Sequence, residues 1–365
     1  MNSYNRRNFI RTSVAGSLLF ASPLPKVSNP LPVKKKADAA LPTRVSISTA
    51  NDRASLVFKA LQPFSREIKQ AIGNKRVVLK PNNVLIYVPL ACTHAETLEG
   101  ILEFLKSINK LRNVIIAESS ASGSTLEGFD NYGYTKLQVK YPDIRLVDLD
   151  SEAYENMYVL DERDYRPHMI RVSSIITDPD SYVVSVARMK THTSVGASLS
   201  LKNIVFGSPI KDQGFTLYNE DRRFAPDKAM QSKKGTVSYK RLLHGSGFHG
   251  VNYNLAMLAS KLHPALAVID GFNGMEGNGP TLGSEIDHKV CVVSQDWLAA
   301  DRVGVELMGI DFTKIGYLNH SARMGLGNAD LGSIEIIGEN LKDHIKTYKL
   351  PNNYDRIISW MDPKS

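Results

Sequence analysis

Cysteine is nearly absent: Cys92 and Cys291 are the two that occur in 365 residues. That excludes a disulfide framework, and any four-cysteine zinc or iron–sulfur site built by this chain alone. Two unpaired thiols packed inside are expected instead. Long apolar runs are missing too. Val14 to Ala21, an apolar stretch near the start, is shorter than the about 20 residues that cross a bilayer. No internal repeat, collagen period or coiled-coil heptad is present. Surplus charge also proves scarce once it is located. Of the net +8, residues 1–43 supply +6, from seven Lys/Arg against one Asp. The +2 left by that subtraction is ordinary for a soluble domain and gives no footprint for nucleic acid.

The first segment reads "NRRNFIRTSVAGSLLFASP". Arg6 and Arg7, then Phe9, Ile10 and Arg11 ahead of a short apolar stretch, resemble a twin-arginine export signal. "NPLPVKKKADAALP" follows as a proline-rich, basic, aperiodic spacer. Residues 1–43 are therefore expected to be leader and spacer, with membrane contact through the leader alone. The periplasm or cell envelope is the expected location.

From Arg44 onward short Val/Ile-rich runs alternate with amphipathic stretches. Strands are predicted over 44–49, 76–80, 113–119, 144–149, 182–187, 265–270, 289–294 and 333–338. Helical stripes fall at 95–110, 254–262 and 298–308, and Ser124 with Glu127 has capping-box spacing. This alternation predicts an α/β fold: a mostly parallel sheet flanked by helices, with a ligand site at the carboxyl ends of strands. One such domain is expected over 44–345, with a C-terminal tail over 346–365. Residues 208–250, aperiodic and with eight Lys/Arg against four acids, are expected to be a basic lid or a surface insertion.

Polar clusters end five of the predicted strands: "KPNN" (80–83), "ESSASGS" (118–124), "ARMKTHTS" (187–194), "DGFNGMEGNGP" (270–280) and "SQDWLAAD" (294–301). Lys190 and His192 lie two apart on one side of an extended segment. A lysine beside a histidine suits an anion clamp with a proton-transfer group, and crowding two cations lowers both pKa values. The glycine segment holds four glycines, Asp270, Glu276, Asn273 and Asn278. It is expected as a loop bringing carboxylates against something small and polar. Asp270 and Glu276 are candidates for a divalent metal, although the spacing is not that of an EF-hand.

In order along the chain stand Lys80-Pro81-Asn82, Thr93-His94, Lys190 with His192, "SLKN" (200–203), His249, "DGFNGMEGNGP" and "AADRVGVELMG" (299–309). Together they resemble the bacterial and archaeal family catalogued as domain of unknown function 362, over about Arg44 to Gly338. The resemblance implies an architecture and a site, but no reaction. Members often carry iron–sulfur ferredoxin segments; with no cysteine cluster, this chain departs from them.

Two functions follow. One is an exported enzyme doing non-redox acid/base or metal-assisted chemistry on a small anionic or polyhydroxylated substrate. Its catalytic candidates are Lys190, His192, Lys202, His249 and Asp270. Its ligand-binding candidates are Lys80, Asn82, His94, Glu118, Asn203, Glu276, Asn278 and Asp301. The other is a non-catalytic ligand- or cofactor-binding module that supports a redox partner.

Overall fold

The structure is a computed structural model and describes residues 42–212 and 238–362. The expected leader, up to position 41, and the middle of the expected lid, 213–237, lie outside the described residues. The strands are β1 (Thr43–Thr49), β2 (Arg76–Lys80), β3 (Val114–Glu118), β4 (Arg145–Asp148), β5 (Tyr154–Leu160), β6 (Pro167–Ser173), β7 (Ser181–His192), β8 (Gly196–Ser198), β9 (Leu266–Asn278), β10 (Leu282–Ser294) and β11 (Ile334–Gly338). The main sheet runs β11-β1-β10-β9-β7-β2-β3-β4, with β8 on β7 and a separate β5–β6 hairpin. Pairings within it are parallel except where β10 meets β1 and β9, and where β8 meets β7. This is an α/β fold.

Helices cover both faces, which is why the strand sequences read as continuous apolar runs. Side chains alternate across the pleat. Val78, Ile115, Val183, Ile269 and Val292 join one core layer, with Leu201, Leu255 and Val303 from the helices. Val77, Leu79, Ile116, Val184, Val268 and Val293 join the other, with Leu56, Ile68 and Ile101. The helices that matter below are α1 (Arg53–Leu61), α2 (Ala95–Ser107), α3 (Thr125–Asn131), α4 (Ser200–Gly207), α5 (Phe248–Ala259) and α6 (Trp297–Leu307). Ser124 caps α3 by accepting from the Glu127 amide, as its spacing implies.

Three strands run further than the apolar pattern shows. β7 continues through Lys190 and His192, and β9 and β10 form a long hairpin containing the whole glycine segment. Residues 270–278 are thus strand rather than loop, and Gly279 and Pro280 lie in the hairpin turn. Its glycines answer to the chain itself. A Cβ on Gly279 would sit 2.0 Å from the Thr191 carbonyl oxygen, and one on Gly274 2.2 Å from the Tyr348 hydroxyl. Backbone bonds across these approaches explain the missing side chains. Thr193 N–H donates to Gly279 O (2.9 Å), and Gly277 N–H to Lys349 O. The stretch read as a C-terminal tail packs along this hairpin, with Tyr348 buried and the Asn353 amide donating to Thr193 O.

Strand direction also separates the five polar clusters. β2, β3 and β7 are parallel neighbours, so their carboxyl ends meet. β10 is antiparallel, and its last residue, Ser294, pairs with Ala267 at the start of β9. "SQDWLAAD" therefore leaves the sheet at the opposite end.

Candidate functional site

A cavity of about 280 Å³ opens where β2, β3 and β7 end. Asn82 and Asn83 line it from beyond β2, Glu118 and Ser119 from the end of β3, and Lys190 and His192 from β7. Lys202 and Phe206 enter from α4, Lys240 and Arg241 from the short helix after the undescribed segment, and His244 from the turn that follows it. Its volume lies just below the range of drug-sized sites, which suits a small ligand.

The floor is an ion pair. Lys80 at the end of β2 meets Glu118 at the end of β3 at 2.7 Å, and both are buried. Lys80 also donates to Pro81 O and to Asn203 Oδ1 (3.1 Å), so all three of its protons have acceptors. Glu118 accepts further bonds from the Asn83 and Ser119 amides. Asn203 returns its amide to Lys80 O and Ser185 Oγ, tying α4 to the sheet. Gly207 closes the same helix where a Cβ would meet the Lys80 ammonium at 2.0 Å.

Above that floor the charge is one-sided. Among the described residues Lys190, Lys202, Lys240 and Arg241 have no carboxylate partner. Lys190 donates to Asn82 Oδ1 and Ala91 O, and Lys240 to Pro209 O. Burial pushes Lys190 down to about 8 and Lys240 down to about 7. Lys202 falls well below the ordinary lysine value, through burial first and the charge of Lys190 second. Its Nζ lies 3.8 Å from the centre of the Phe206 ring.

The two histidines take opposite tautomers, assigned from their partners. Ser194 N–H donates to His192 Nδ1 (3.0 Å), so the neutral ring keeps its proton on Nε2. His244 Nδ1 lies 3.0 Å from the Lys240 carbonyl oxygen, which can accept only; the proton is on Nδ1 and Nε2 holds a lone pair. Burial holds both below the usual range, His244 at about 4 and His192 well below its ordinary value, with Lys202 the next cause for each. One ring offers a donor and the other an acceptor. Among the described residues two further lining groups have no partner: the side-chain amide of Asn83 and the hydroxyl of Ser238 are buried and unbonded. Native structures seldom leave such groups unsatisfied except where a ligand or water serves them.

Of the residues singled out from sequence, Lys190, His192, Lys202, Asn82 and Glu118 line this cavity, and Lys80 and Asn203 lie directly beneath it. The others do different work. Asp270 is buried against Thr97 Oγ1 (2.6 Å), the Phe272 amide (2.9 Å) and Arg53 (3.3 Å). Glu276 accepts from the Lys349 amide and Asn278 from the Asn352 amide, so both clasp the C-terminal stretch. His94 caps α2 through Glu96 N–H. His249 meets Asp362 O at 2.8 Å, and His244 takes the place expected for it. Asp301 accepts from the Ser200 and Leu201 amides (2.8 and 3.1 Å), serving as the N-terminal cap that α4 lacks in its own sequence. Burial lifts that carboxyl to about 7. Both cysteines are free and buried.

Lys240, Arg241 and His244 escaped the sequence reading as site residues. Their signal was present in "KRLLH", where Lys240 and His244 have helical i,i+4 spacing, but it stood inside an aperiodic basic stretch. Among the described residues no three His, Cys, Asp or Glu side chains converge to hold a metal, and no helix is long and apolar enough to cross a membrane.

Comparison with known proteins finds similar chains at low identity. A thylakoid-associated protein of Synechocystis sp. is 23% identical over 253 residues, covering 69% of this chain and 68% of that one. The lactate racemase apoprotein of Thermoanaerobacterium thermosaccharolyticum matches 73% of this chain at 15% identity and a TM-score of 0.41, and the match spans 57% of that structure's length. The model of one family, described as a domain of unknown function (DUF362), matches residues 77–306, and the chain belongs to that family.

Proposed function

We propose that the cavity binds a small organic anion and catalyses non-redox proton transfer on it. One observation carries this reading: three buried lysines, Lys190, Lys202 and Lys240, with the exposed Arg241 beside them, line one small space without a carboxylate partner among the described residues. An isolated buried charge is costly, so proteins seldom retain several without a counter-charge to receive. A bound anion supplies that charge. It also raises the pKa of every lysine it touches, and that of His244. His244 Nε2 is then a base of useful strength, while His192 Nε2–H donates to an oxygen gaining charge. The bland groups Asn83 and Ser238 supply neutral contacts that orient the ligand.

The test has two stages. Calorimetry with oxalate and a panel of other short carboxylates measures binding in the wild type and in Lys240→Met. NMR in deuterium oxide then follows loss of carbon-bound protons from each binder. Binding that weakens in the variant, with exchange that disappears in His244→Gln, is the expected result. Binding with no exchange in any binder supports a non-catalytic module serving a partner. No binding at all sinks the anion reading. We propose also that the chain is exported, on the strength of Arg6 and Arg7 before the short apolar stretch. Arg6→Lys with Arg7→Lys should then strand it in the cytoplasmic fraction.

A further inference from the structure

Lys202 differs from the other basic groups around the cavity. Lys190 and Lys240 each donate to backbone or amide oxygens, which hold a proton on nitrogen. Among the described residues Lys202 Nζ has no oxygen acceptor, and its near neighbour is the face of Phe206. That ring favours an ammonium only weakly beside the cost of desolvating one. The nitrogen is nonetheless held in place. Lys202 sits in the first turn of α4, whose start Asp301 fixes from α6 and whose next residue, Asn203, is bolted to Lys80. A buried amine without an oxygen acceptor among the described residues, fixed at the edge of a cavity rich in cations, is the arrangement of a nucleophile rather than of a clamp.

We propose that Lys202 attacks the carbonyl carbon of a small 2-oxo acid and condenses with it to an imine. The inference rests on the anion-binding reading above, since cations such as Lys190 and Lys240 are what would hold the carboxylate. The amine lone pair forms the carbon–nitrogen bond while the carbonyl electrons move to oxygen, where His192 Nε2–H donates. His244 Nε2 carries the two nitrogen protons, one after the other, to that oxygen. Water leaves, and amine plus ketone has become imine plus water with no oxidant or reductant. The imine draws electrons from the neighbouring carbon, which is where a proton transfer would then occur. Burial, which lowers the Lys202 pKa, assists the attack.

Glyoxylate with cyanoborohydride tests this on the full chain, by peptide mass spectrometry. At about pH 6.5, some four units below the usual lysine value, exposed lysines are almost wholly protonated and react slowly. Carboxymethylation of Lys202 is expected roughly tenfold or more ahead of the exposed lysines, with competition by oxalate, which offers no ketone to an amine. Uniform labelling, or none at Lys202, overturns the proposal. Oxalate binding measured on the same preparation separates the two readings. Oxalate bound without Lys202 labelling removes the imine and leaves the anion site standing. Neither binding nor labelling removes both.

Discussion

At the scale of single residues, the cavity is a place where protons are held against their preference. Lys240 titrates at about 7 when folded and near 10.5 when unfolded. A depressed value means that the unfolded chain binds more protons between those limits, so the contribution of Lys240 to stability is lost as pH falls through about 7. Urea unfolding of the wild type and of Lys240→Met at pH near 7 and near 10 should show the variant's advantage shrinking as pH rises. The Lys80–Glu118 pair has the opposite logic, because both charges are satisfied. Glu118→Gln leaves a buried ammonium short of its counter-charge, and a loss of about 3–5 kcal/mol is expected in the same assay.

Elements explain which parts of this were legible from sequence. Alternation along β7 put Lys190 and His192 on one side, and a strand end at Lys80 and Glu118 was readable from the apolar runs. The glycine segment misled because composition at an expected strand end cannot distinguish a ligand from another stretch of backbone. Gly279→Ala drives a methyl into Thr191 O, so it should cost about 1–3 kcal/mol by denaturation and weaken carboxylate binding through the displaced His192. Asp301 looked like a site residue because nothing local shows that its acceptors serve amides about 100 positions away. Its folded value of about 7 against 3.8 means that its contribution is present at low pH and is lost as pH rises through 7. Asp301→Asn should remove that slope and lower stability by about 1–3 kcal/mol.

For the whole molecule, filling the cavity is a protonation event as well as a binding event. An anion raises Lys190 from about 8 and Lys240 from about 7. Binding near pH 7.5 should therefore take up protons, seen as a calorimetric enthalpy that varies with the ionisation enthalpy of the buffer. An enthalpy independent of buffer would show that the lysines are charged before the ligand arrives. Fold class was readable at this scale because both faces of the sheet are covered, which writes itself into every strand. The cavity was not, since Lys240 and His244 reach it from a stretch with no period.

One clasp sets an order in time. Asn353 holds Thr193, the residue after His192, from 160 positions further along. Glu276 and Asn278 meet the same late stretch. A ribosome therefore releases the cationic wall long before it releases the residues that steady it. Throughout that interval the Thr193 carbonyl, next to His192, lacks the amide that Asn353 later donates to it.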